Sequence, residues 1–436
     1  MRFMAAEVAT ATGGRLVGQN AHLSGVSFDS RTLMAGQLFV PIVAARDGHD
    51  FIADAVARGA GAYLTTHEPQ GRRSAVVVGD TLAALMKLGQ WARDRLEAQL
   101  DGRVVGITGS VGKTSTKDMV ATALGAKYRV AYAERSYNND QGLPVTILNA
   151  DDAVEALVLE MGMRGFGEIA RLCSIGRPSI GVVTAVGHAH TERVGGLEGV
   201  AKAKGELVEA LPSAGFAVLN ADDERVAAMS TRTKANVLTY GEDRGALVRA
   251  VDVVADSVGR HSFGVATPWG DAEVRLVVPG RHMVSNALAA LAVAGACGVS
   301  IRDAASALAH AAMSPMRMQE RRTKTGAVLL DDCYNANPTS MAAALDTLAL
   351  VAARRKVAVL GEMAELADSA EHHRRIGARA AEMGIDLIAV GTAAYGSPAH
   401  TVEQASALLA DCGEGDAILV KGSRVAALER LVDQLV

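Results

Sequence analysis

Residues 104–116 read Val-Val-Gly-Ile-Thr-Gly-Ser-Val-Gly-Lys-Thr-Ser-Thr, an apolar strand followed by a glycine-rich loop that opens a helix. In such a loop the backbone N–H groups point inward onto phosphate oxygens, and the helix N-terminus adds positive potential. We predict that Lys113 reaches the β- and γ-phosphates of a nucleotide and that the Thr114 hydroxyl coordinates Mg²⁺. Ile107 stands where the strict phosphate-loop pattern has its first glycine, although glycines recur at Gly106, Gly109 and Gly112. The strand-to-helix setting favours a phosphate site over the alternative, an incidental glycine-rich turn.

The chain after the loop continues as short apolar strands separated by helices. Strand candidates stand at 156–160 and 180–184, and apolar strands between helices are typical of a buried parallel sheet. Strand-like alternation then runs through about 237–278, before an alanine-rich helix at 285–297.

A new strand–loop–helix series begins near Ser314-Pro315, with strand candidates at 327–330, 357–360, 387–390 and 417–420. That series predicts a separate doubly wound domain. We therefore predict an α/β protein of three domains. They are a small mixed α/β domain at 1–100, a central P-loop domain with a parallel sheet at 101–313, and a C-terminal Rossmann-like domain at 314–436.

Composition excludes several classes of protein. The 436 residues carry 44 basic and 48 acidic side chains, for a formal net charge of −4, and 49% of them are hydrophobic. This balance is ordinary for a globular chain and argues against a disordered one or a dedicated nucleic-acid binder. The four cysteines form no CxxC pair, so neither a disulfide framework nor a thiolate zinc site is expected. The N-terminus lacks the apolar core of a signal peptide, and the most apolar stretch, 287–299, is shorter than the roughly 20 residues that span a bilayer.

Four further segments after the loop add to the pattern. They are Asn-Asn-Asp-Gln-Gly-Leu-Pro-Val-Thr at 138–146, Leu-Glu-Met-Gly at 159–162, Gly-His-Ala-His at 187–190 with Ala-Lys-Ala-Lys-Gly-Glu at 201–206, and Pro-Gly-Arg-His-Met-Val-Ser-Asn at 279–286. Together with the variant phosphate loop they resemble the Mur ligases and their folylpolyglutamate synthase relatives. Those enzymes join a carboxylate to an amine through an acyl phosphate.

The resemblance implies an ATP site made by the central and C-terminal domains. The implied contacts with ATP are Thr108, Gly109, Ser110, Val111, Gly112, Lys113, Thr114, Asn286, Arg317 and Asp332. Because Arg317 and Asp332 belong to a different domain from Lys113, we predict that the C-terminal domain closes over ATP.

Two magnesium sites are implied beside the phosphates. An acidic residue at the carboxyl end of a buried strand is well placed to hold Mg²⁺, and the resemblance gives Glu160 this role together with Thr114. The alternative for Glu160 is an ordinary strand-end carboxylate. His190 matches the family's ligand of a second Mg²⁺, and Lys204 matches its carbamylated lysine, an anionic group that supports that site. In isolation His188 and His190 suggest a zinc site, but no further ligands stand at a recognisable spacing.

Asparagines are implied at several points of the site. By resemblance, Asn138 and Asn139 lie near the γ-phosphate and the acyl substrate. Asn286 matches an asparagine that contacts adenine, and its alternative is an N-cap of the alanine-rich helix. Asn335 and Asn337 are implied on the acceptor side.

The segment Asp-Asp-Cys-Tyr-Asn-Ala-Asn-Pro at 331–338 resembles in particular the branch of the family that adds D-alanyl-D-alanine. One residue before Arg317 departs from the family, which often has glycine where this chain has Met316. The departure bears on the conformation of the linker and on the Arg317 contact.

Three N-terminal segments, 27–31, 36–40 and 47–51, resemble the domain with which this branch grips a uridine diphosphate. Arginine and hydroxyl side chains suit a diphosphate, because they can donate hydrogen bonds to its charged oxygens. The segment Pro-Ile-Val-Ala-Ala-Arg at 41–46 departs from the usual A-x-x-G, which bears on the shape of the uridine-contacting loop. The implied substrate contacts are Ser30, Arg31, Asp47, Gly48 and His49.

The resemblance as a whole implies an ATP-dependent ligase of peptidoglycan precursor synthesis. It would join D-alanyl-D-alanine to UDP-N-acetylmuramoyl-tripeptide with ATP and Mg²⁺, as a cytoplasmic monomer without nucleic-acid or membrane partners. Two alternatives are the branch that adds the third peptide residue, whose D-N-P-R signature is missing here, and a folylpolyglutamate synthase, which usually lacks the uridine-binding domain. A non-enzymatic nucleotide-binding module is a further alternative, and it predicts ATP binding without substrate-dependent turnover.

Overall fold

The computed structural model describes residues 1–69, 71–133, 136–188, 191–364, 366 and 368–436. Across these residues the strands form four sheets, of two, five, nine and six strands. Helices pack against the sheets, which is the α/β arrangement that the alternating pattern predicts. No helix in this described part of the chain is long and apolar enough to cross a membrane.

The first hundred residues build a small mixed sheet with a two-stranded ribbon beside it. The elements are β1 (Arg2–Met4), α1 (Ala5–Thr12), β2 (Arg15–Val17), β3 (His22–Ser24), β4 (Val26–Ser27), β5 (Leu38–Phe39), a 3-10 turn (Gly48–Phe51), α2 (Ile52–Ala57), β6 (Ala62–Thr65), β7 (Ser74–Val77), α3 (Thr81–Arg95) and α4 (Glu97–Leu100). The sheet order is β2-β7-β6-β5-β4, parallel except between β2 and β7, and β1 pairs antiparallel with β3. Asp80 starts the long helix α3 because its side chain accepts the N–H of Ala83.

The central part of the chain forms the largest sheet. Its elements are β8 (Val104–Thr108), α5 (Lys113–Gly125), β9 (Val130–Tyr132), α6 (Gly142–Leu148), β10 (Ala156–Glu160), α7 (Glu168–Gly176), β11 (Ile180–Val183), α8 (Thr191–Val194), α9 (Gly196–Glu209), β12 (Phe216–Asn220), α10 (Glu224–Ala227), a 3-10 turn (Ala228–Arg232), β13 (Asn236–Gly241), β14 (Val248–Ala255), β15 (Arg260–Ala266), β16 (Ala272–Pro279), α11 (His282–Ala296) and α12 (Ile301–Leu308). Among the described residues the order is β16-β15-β14-β13-β12-β11-β8-β10-β9, parallel from β9 to β14 and antiparallel at β15 and β16.

Strand β8 occupies the position in this sheet that places the functional site. It is fully buried between β10 and β11. The strands that follow it, β9 and β10, lie on one side of it, and β11 lies on the other side. In open α/β sheets the crevice outside the carboxyl end of such a strand is where ligands bind. Gly106 lets the layer of helices come close, because a Cβ there would lie 3.0 Å from Leu207 Cδ1. Helix α11, almost entirely buried because it consists mainly of alanine, leucine and valine, packs against α5.

The C-terminal part forms a six-stranded sheet of its own. Its elements are β17 (Gln319–Arg322), β18 (Val328–Asp331), α13 (Pro338–Leu350), β19 (Arg355–Leu360), α14 (Ser369–Glu382), β20 (Asp386–Val390), β21 (Ala399–His400), α15 (Val402–Leu408), β22 (Asp416–Lys421), a 3-10 turn (Arg424–Ala426) and α16 (Glu429–Leu435). In the described chain the order is β17-β18-β22-β19-β20-β21, and only the β17–β18 pair is antiparallel. Because β18 and β22 are parallel neighbours, the residues that follow them meet at one edge. The boundaries at about 100 and 313 stay predictions.

One asparagine links the N-terminal sheet to the central part. The Asn149 side chain accepts the Val26 N–H (2.8 Å) and donates to the Val26 carbonyl (3.0 Å), so it takes the place of a neighbouring strand. Gly25 beside it has φ +81°, and a Cβ there would lie 2.3 Å from Asn149 Oδ1. The contact therefore needs both the asparagine and the glycine.

We expect Asn149→Ala to lower the free energy of unfolding by about 2–3 kcal/mol, because two backbone groups of Val26 lose their partner. Chemical denaturation followed by circular dichroism measures the change. Asn236→Ala is the matched control, since this asparagine is exposed like Asn149 but its side chain donates a single bond, to the Gly215 carbonyl, and its cost should stay below about 1 kcal/mol. Equal destabilisation by the two variants would contradict the linking role of Asn149.

Candidate active site

The glycine-rich loop turns from β8 into α5 through positions that only glycine fits. A Cβ at Gly109 would lie 1.8 Å from Thr184 Oγ1, and Gly112 combines φ +83° with a Cβ position 2.7 Å from Asn286 Oδ1. Ile107 belongs to strand β8 and is fully buried, so the glycine missing from the strict pattern would have been a strand residue. The departure therefore leaves the loop itself intact.

A cavity of about 630 Å³ at the carboxyl end of β8 brings most of the predicted residues together. Its lining includes Gly109, Ser110, Val111, Gly112, Lys113, Thr114, Asn138, Asn139, Glu160, Lys204, Asn286, Arg317, Asp332, Asn335 and Asn337. Thr108 is fully buried at the end of β8 and does not line it. His190 lies outside the described residues.

Four polar side chains meet around the start of α5. Thr114 Oγ1 donates to Glu160 Oε2 (2.9 Å), and Asn138 Nδ2 donates to Glu160 Oε1 (2.8 Å). Lys113 Nζ donates to the Gly109 carbonyl (2.7 Å). Burial lowers the pKa of the Lys113 amine, an effect that Glu160 opposes and Arg317 reinforces. The Thr114 and Glu160 oxygens form a pair of hard donors of the kind that Mg²⁺ prefers.

Lys204 enters the same cavity from α9 as a buried amine. It is 3% exposed and has no hydrogen-bond or ion-pair partner among the described residues. Burial lowers the pKa of this amine well below its usual value, and the charge of Lys113 lowers it further. Both effects disfavour the charged form of the Lys204 amine. Lys202, two residues earlier, is exposed and lies over the Phe166 ring instead.

Asn286 lies one turn inside α11, which begins at His282. The alternative interpretation of Asn286 as the N-cap of this helix is therefore wrong; sequence reasoning began the helix three residues too late. Its side-chain oxygen accepts from Thr116 Oγ1 (3.1 Å). His282 also lines the cavity, its Nδ1 is buried without a partner in the described chain, and sequence reasoning missed it. The spacing of four residues from Asn286 is the signal that points to it.

The linker before β17 brings Arg317 onto the phosphate loop. Arg317 Nη2 donates to Thr114 Oγ1 (3.2 Å), and its guanidinium lies 4.1 Å from the centre of the Tyr334 ring. Met316, where the family often has glycine, has φ +59°, a left-handed conformation that favours glycine. The departure thus keeps the glycine-like backbone and still lets Arg317 reach Thr114.

Asp332 is held by a lysine that the sequence analysis did not assign. Lys421 Nζ donates to Asp332 Oδ2 (2.6 Å) and to the Asn335 carbonyl (2.9 Å), and Lys421 is 2% exposed. The other Asp332 oxygen accepts the Met318 N–H (3.2 Å). The signal that could have found Lys421 is its position at the end of β22, the strand beside β18.

Three asparagines that are predicted to contact substrates accept hydrogen bonds from nearby backbone N–H groups. Asn139 accepts from the Gly142 N–H (2.9 Å), Asn335 from the Ala336 N–H (2.9 Å), and Asn337 from the Ser340 N–H (2.9 Å), which caps α13. Each of them lines the cavity. The local bonds orient these side chains, and each amide still has an NH₂ group that can donate to a substrate.

The five residues predicted to contact a uridine diphosphate lie in the N-terminal part and do not line this cavity. Arg31 is exposed and forms a two-pronged pair with Asp29, whereas Ser30 is buried. The segment 41–46, which departs from the family pattern, closes on a bridge between Val43 and Asp47, and the Gly48 N–H donates to the Ile42 carbonyl there.

Asp47, His49 and His67 place one ligand atom each within 4.8 Å of one another, the geometry of a candidate metal site. His49 Nδ1 lies 2.6 Å from Asp47 Oδ1, however, and its Nε2 accepts the Thr66 N–H (3.2 Å). Because Nε2 accepts, Nδ1 carries the proton and cannot bind a metal. The backbone and side-chain hydrogen bonds from His49 lower the pKa of the Asp47 carboxyl, so these two residues form a hydrogen-bonded pair, and the His67 ring lies 5.0 Å from the His49 ring.

The chain is similar in sequence and in structure to proteins of one known family. The Mur ligase middle domain matches residues 107–294, and the Mur ligase glutamate ligase domain matches residues 316–424. The UDP-N-acetylmuramoyl-tripeptide–D-alanyl-D-alanine ligase of Mycobacterium tuberculosis H37Rv is 40% identical, covering 94% of this chain and 92% of that protein. The crystal structure of MurF from Acinetobacter baumannii superposes with a TM-score of 0.90 at 30% identity, over 100% of this chain and 99% of the other. MurF from Thermotoga maritima in complex with ADP gives 0.78 at 28% identity, over 94% and 96%.

These matches span all three predicted domains and confirm the predicted fold class and family. Together with the phosphate loop, the Thr114–Glu160 pair and the cavity shared by two sheets, they show that the chain belongs to the Mur ligase family, in its MurF branch.

Proposed function

We propose that the chain uses ATP to join D-alanyl-D-alanine to UDP-N-acetylmuramoyl-tripeptide, giving UDP-N-acetylmuramoyl-pentapeptide, ADP and phosphate. The observation that carries the proposal is the single cavity lined by the phosphate loop, Glu160 and Lys204 from the central sheet and by Arg317 and Asp332 from the C-terminal part. The relatives that carry the same substrates in their names match nearly the whole chain.

The chemistry requires that a carboxylate be activated, because hydroxide is a poor leaving group at neutral pH. The terminal carboxylate of the tripeptide attacks the γ-phosphorus of ATP, ADP leaves, and an acyl phosphate forms. The amine of D-alanyl-D-alanine then attacks the acyl carbon, and the tetrahedral intermediate expels phosphate. ATP and the carboxylate repel one another, so the contribution of the protein is positioning and neutralisation of charge.

Cationic side chains from both sides of the cavity serve this role. Lys113 belongs at the β- and γ-phosphates, and Arg317 approaches them through its contact with Thr114. Asn286 and Asp332 are the proposed contacts with the nucleoside, and Asn138 fixes Glu160. Mg²⁺ held by Thr114 and Glu160 would neutralise phosphate charge there, a role for which these two oxygens are suited.

A second Mg²⁺ site would be held by His190 and a carbamylated Lys204. The support for it is the buried Lys204 amine, whose pKa burial lowers, because an amine adds to CO₂ in its neutral form, giving a carbamate and releasing one proton. The carbamate is an oxygen ligand of negative charge, which a lysine ammonium cannot be.

The remaining contacts complete the proposal. Ser30, Arg31, Asp47, Gly48 and His49 hold the uridine diphosphate, Asn139 contacts the donor peptide, and Asn335 and Asn337 contact the dipeptide. We include in the proposal a cytoplasmic monomer, as the family resemblance implies.

The direct test is release of ADP from ATP and Mg²⁺ with UDP-N-acetylmuramoyl-tripeptide and D-alanyl-D-alanine, each component omitted in turn. We expect turnover only when all four are present, because phosphoryl transfer and amine attack each need their own substrate. Turnover with UDP-N-acetylmuramoyl-dipeptide and a diamino acid in place of these two substrates would contradict the assignment.

We expect Lys204→Ala to fold normally and to lose about 10²–10³ of kcat, the usual consequence of removing one charge-stabilising group. Lys202→Ala is the matched control, since Lys202 is exposed on the same helix and should keep activity within about twofold. A ¹³C resonance from labelled bicarbonate should mark a carbamate in the wild-type chain and be absent in Lys204→Ala. Full activity of Lys204→Ala would overturn the second metal site.

A further inference from the structure

The linker that enters the C-terminal part docks on helix α5 at two points. The Ser314 N–H donates to Asp118 Oδ2 (2.8 Å), and Arg317 Nη2 donates to Thr114 Oγ1 (3.2 Å). Thr114 and Asp118 stand four residues apart on α5 and therefore share one face of the helix. The linker runs along this face and ends with Arg317 in the cavity.

Two linker residues hold backbone angles that side chains disfavour. Met316 has φ +59° and Met318 has φ +50°, so a left-handed residue stands on each side of Arg317. Such a conformation persists only where its surroundings fix it. On one side the Met318 N–H donates to Asp332 (3.2 Å), and on the other the Ser314 N–H donates to Asp118.

Asp118 is a buried hydrogen-bond acceptor whose side chain is held in place by Lys117. It is 3% exposed, and its Oδ1 lies 2.9 Å from Nζ of the fully buried Lys117, which in turn donates to the Ala133 carbonyl. A charged acceptor makes a stronger hydrogen bond than a neutral one. Asp118 does not line the cavity, and its contact with the linker is the bond from the Ser314 N–H.

We propose that Asp118 is a positioning residue: by holding the Ser314 N–H, it fixes the strained linker so that Arg317 stands at the phosphate end of the cavity. The inference rests on the proposed contact of Arg317 with ATP. It goes beyond that contact because it assigns the placement of Arg317 to a side chain outside the site.

The test deletes the linker donor and leaves Asp118 and Lys117 untouched. Ser314→Pro lacks the backbone N–H, and Ser314→Ala keeps it. The dissociation constant for ATP with Mg²⁺, measured without the other substrates, should rise about 10- to 100-fold in Ser314→Pro, as in Arg317→Ala, and stay unchanged in Ser314→Ala. Because Ser314→Pro acts through Arg317, the double variant Ser314→Pro/Arg317→Ala should bind no more weakly than Arg317→Ala alone.

A second series tests the linker conformation if Ser314→Pro fails to fold. Met316→Gly suits the left-handed angle, whereas Met316→Val does not, so only the valine variant should weaken ATP binding, by about 10-fold or more. Additive losses in the Ser314→Pro/Arg317→Ala pair, wild-type binding by Ser314→Pro, or equal binding by the two Met316 variants would overturn the proposal. These measurements use ATP and Mg²⁺ alone. They therefore stay valid even if the proposed peptide substrates, the tripeptide and D-alanyl-D-alanine, are wrong.

Discussion

The arrangement of charge around the cavity is the constraint on which the rest of the structure depends. Lys113, Lys204 and Arg317 share one buried space, where burial and mutual repulsion lower the pKa of both amines. Glu160 is the carboxylate that opposes this effect at Lys113. Such a site suits a polyanion, because phosphate groups satisfy cations that water can no longer solvate.

The sheets explain how groups so far apart in sequence come together. Glu160 ends β10, the phosphate loop follows β8, and these strands are parallel neighbours, so both reach the same edge. Asp332 and Lys421 meet in the same way after β18 and β22 of the second sheet. The linker then joins the two edges, and Arg317 contacts Thr114 directly. The proposed reaction needs both edges, because the proposed contacts with ATP come from both of them.

Sequence reasoning could predict local patterns and the residues that stand directly after a strand. The phosphate loop, Thr114 with Glu160, and the strand series of the C-terminal part are short-range patterns, and the structure brings the predicted loop and strand-end residues to one cavity. It could not foresee partners chosen by tertiary packing. Lys421 and His282 carry local signals, at the end of β22 and four residues before Asn286, but which side chains they meet depends on tertiary packing: Lys421 and Asp332 are 89 residues apart. Asp118 lies under Ser314, 196 residues away, and no local pattern predicts that contact. Met316 is a further example, since its left-handed backbone conformation depends on tertiary contacts that no local sequence pattern reveals.

The central claim is that the cavity neutralises ATP and a carboxylate so that an acyl phosphate forms. The most direct measurement uses tripeptide substrate labelled with ¹⁸O in its terminal carboxylate and follows the label into the phosphate that is released. The account predicts that each phosphate carries one ¹⁸O atom, because the carboxylate oxygen that attacks the γ-phosphorus leaves with it. Phosphate without the label, formed together with the peptide product, would contradict the account.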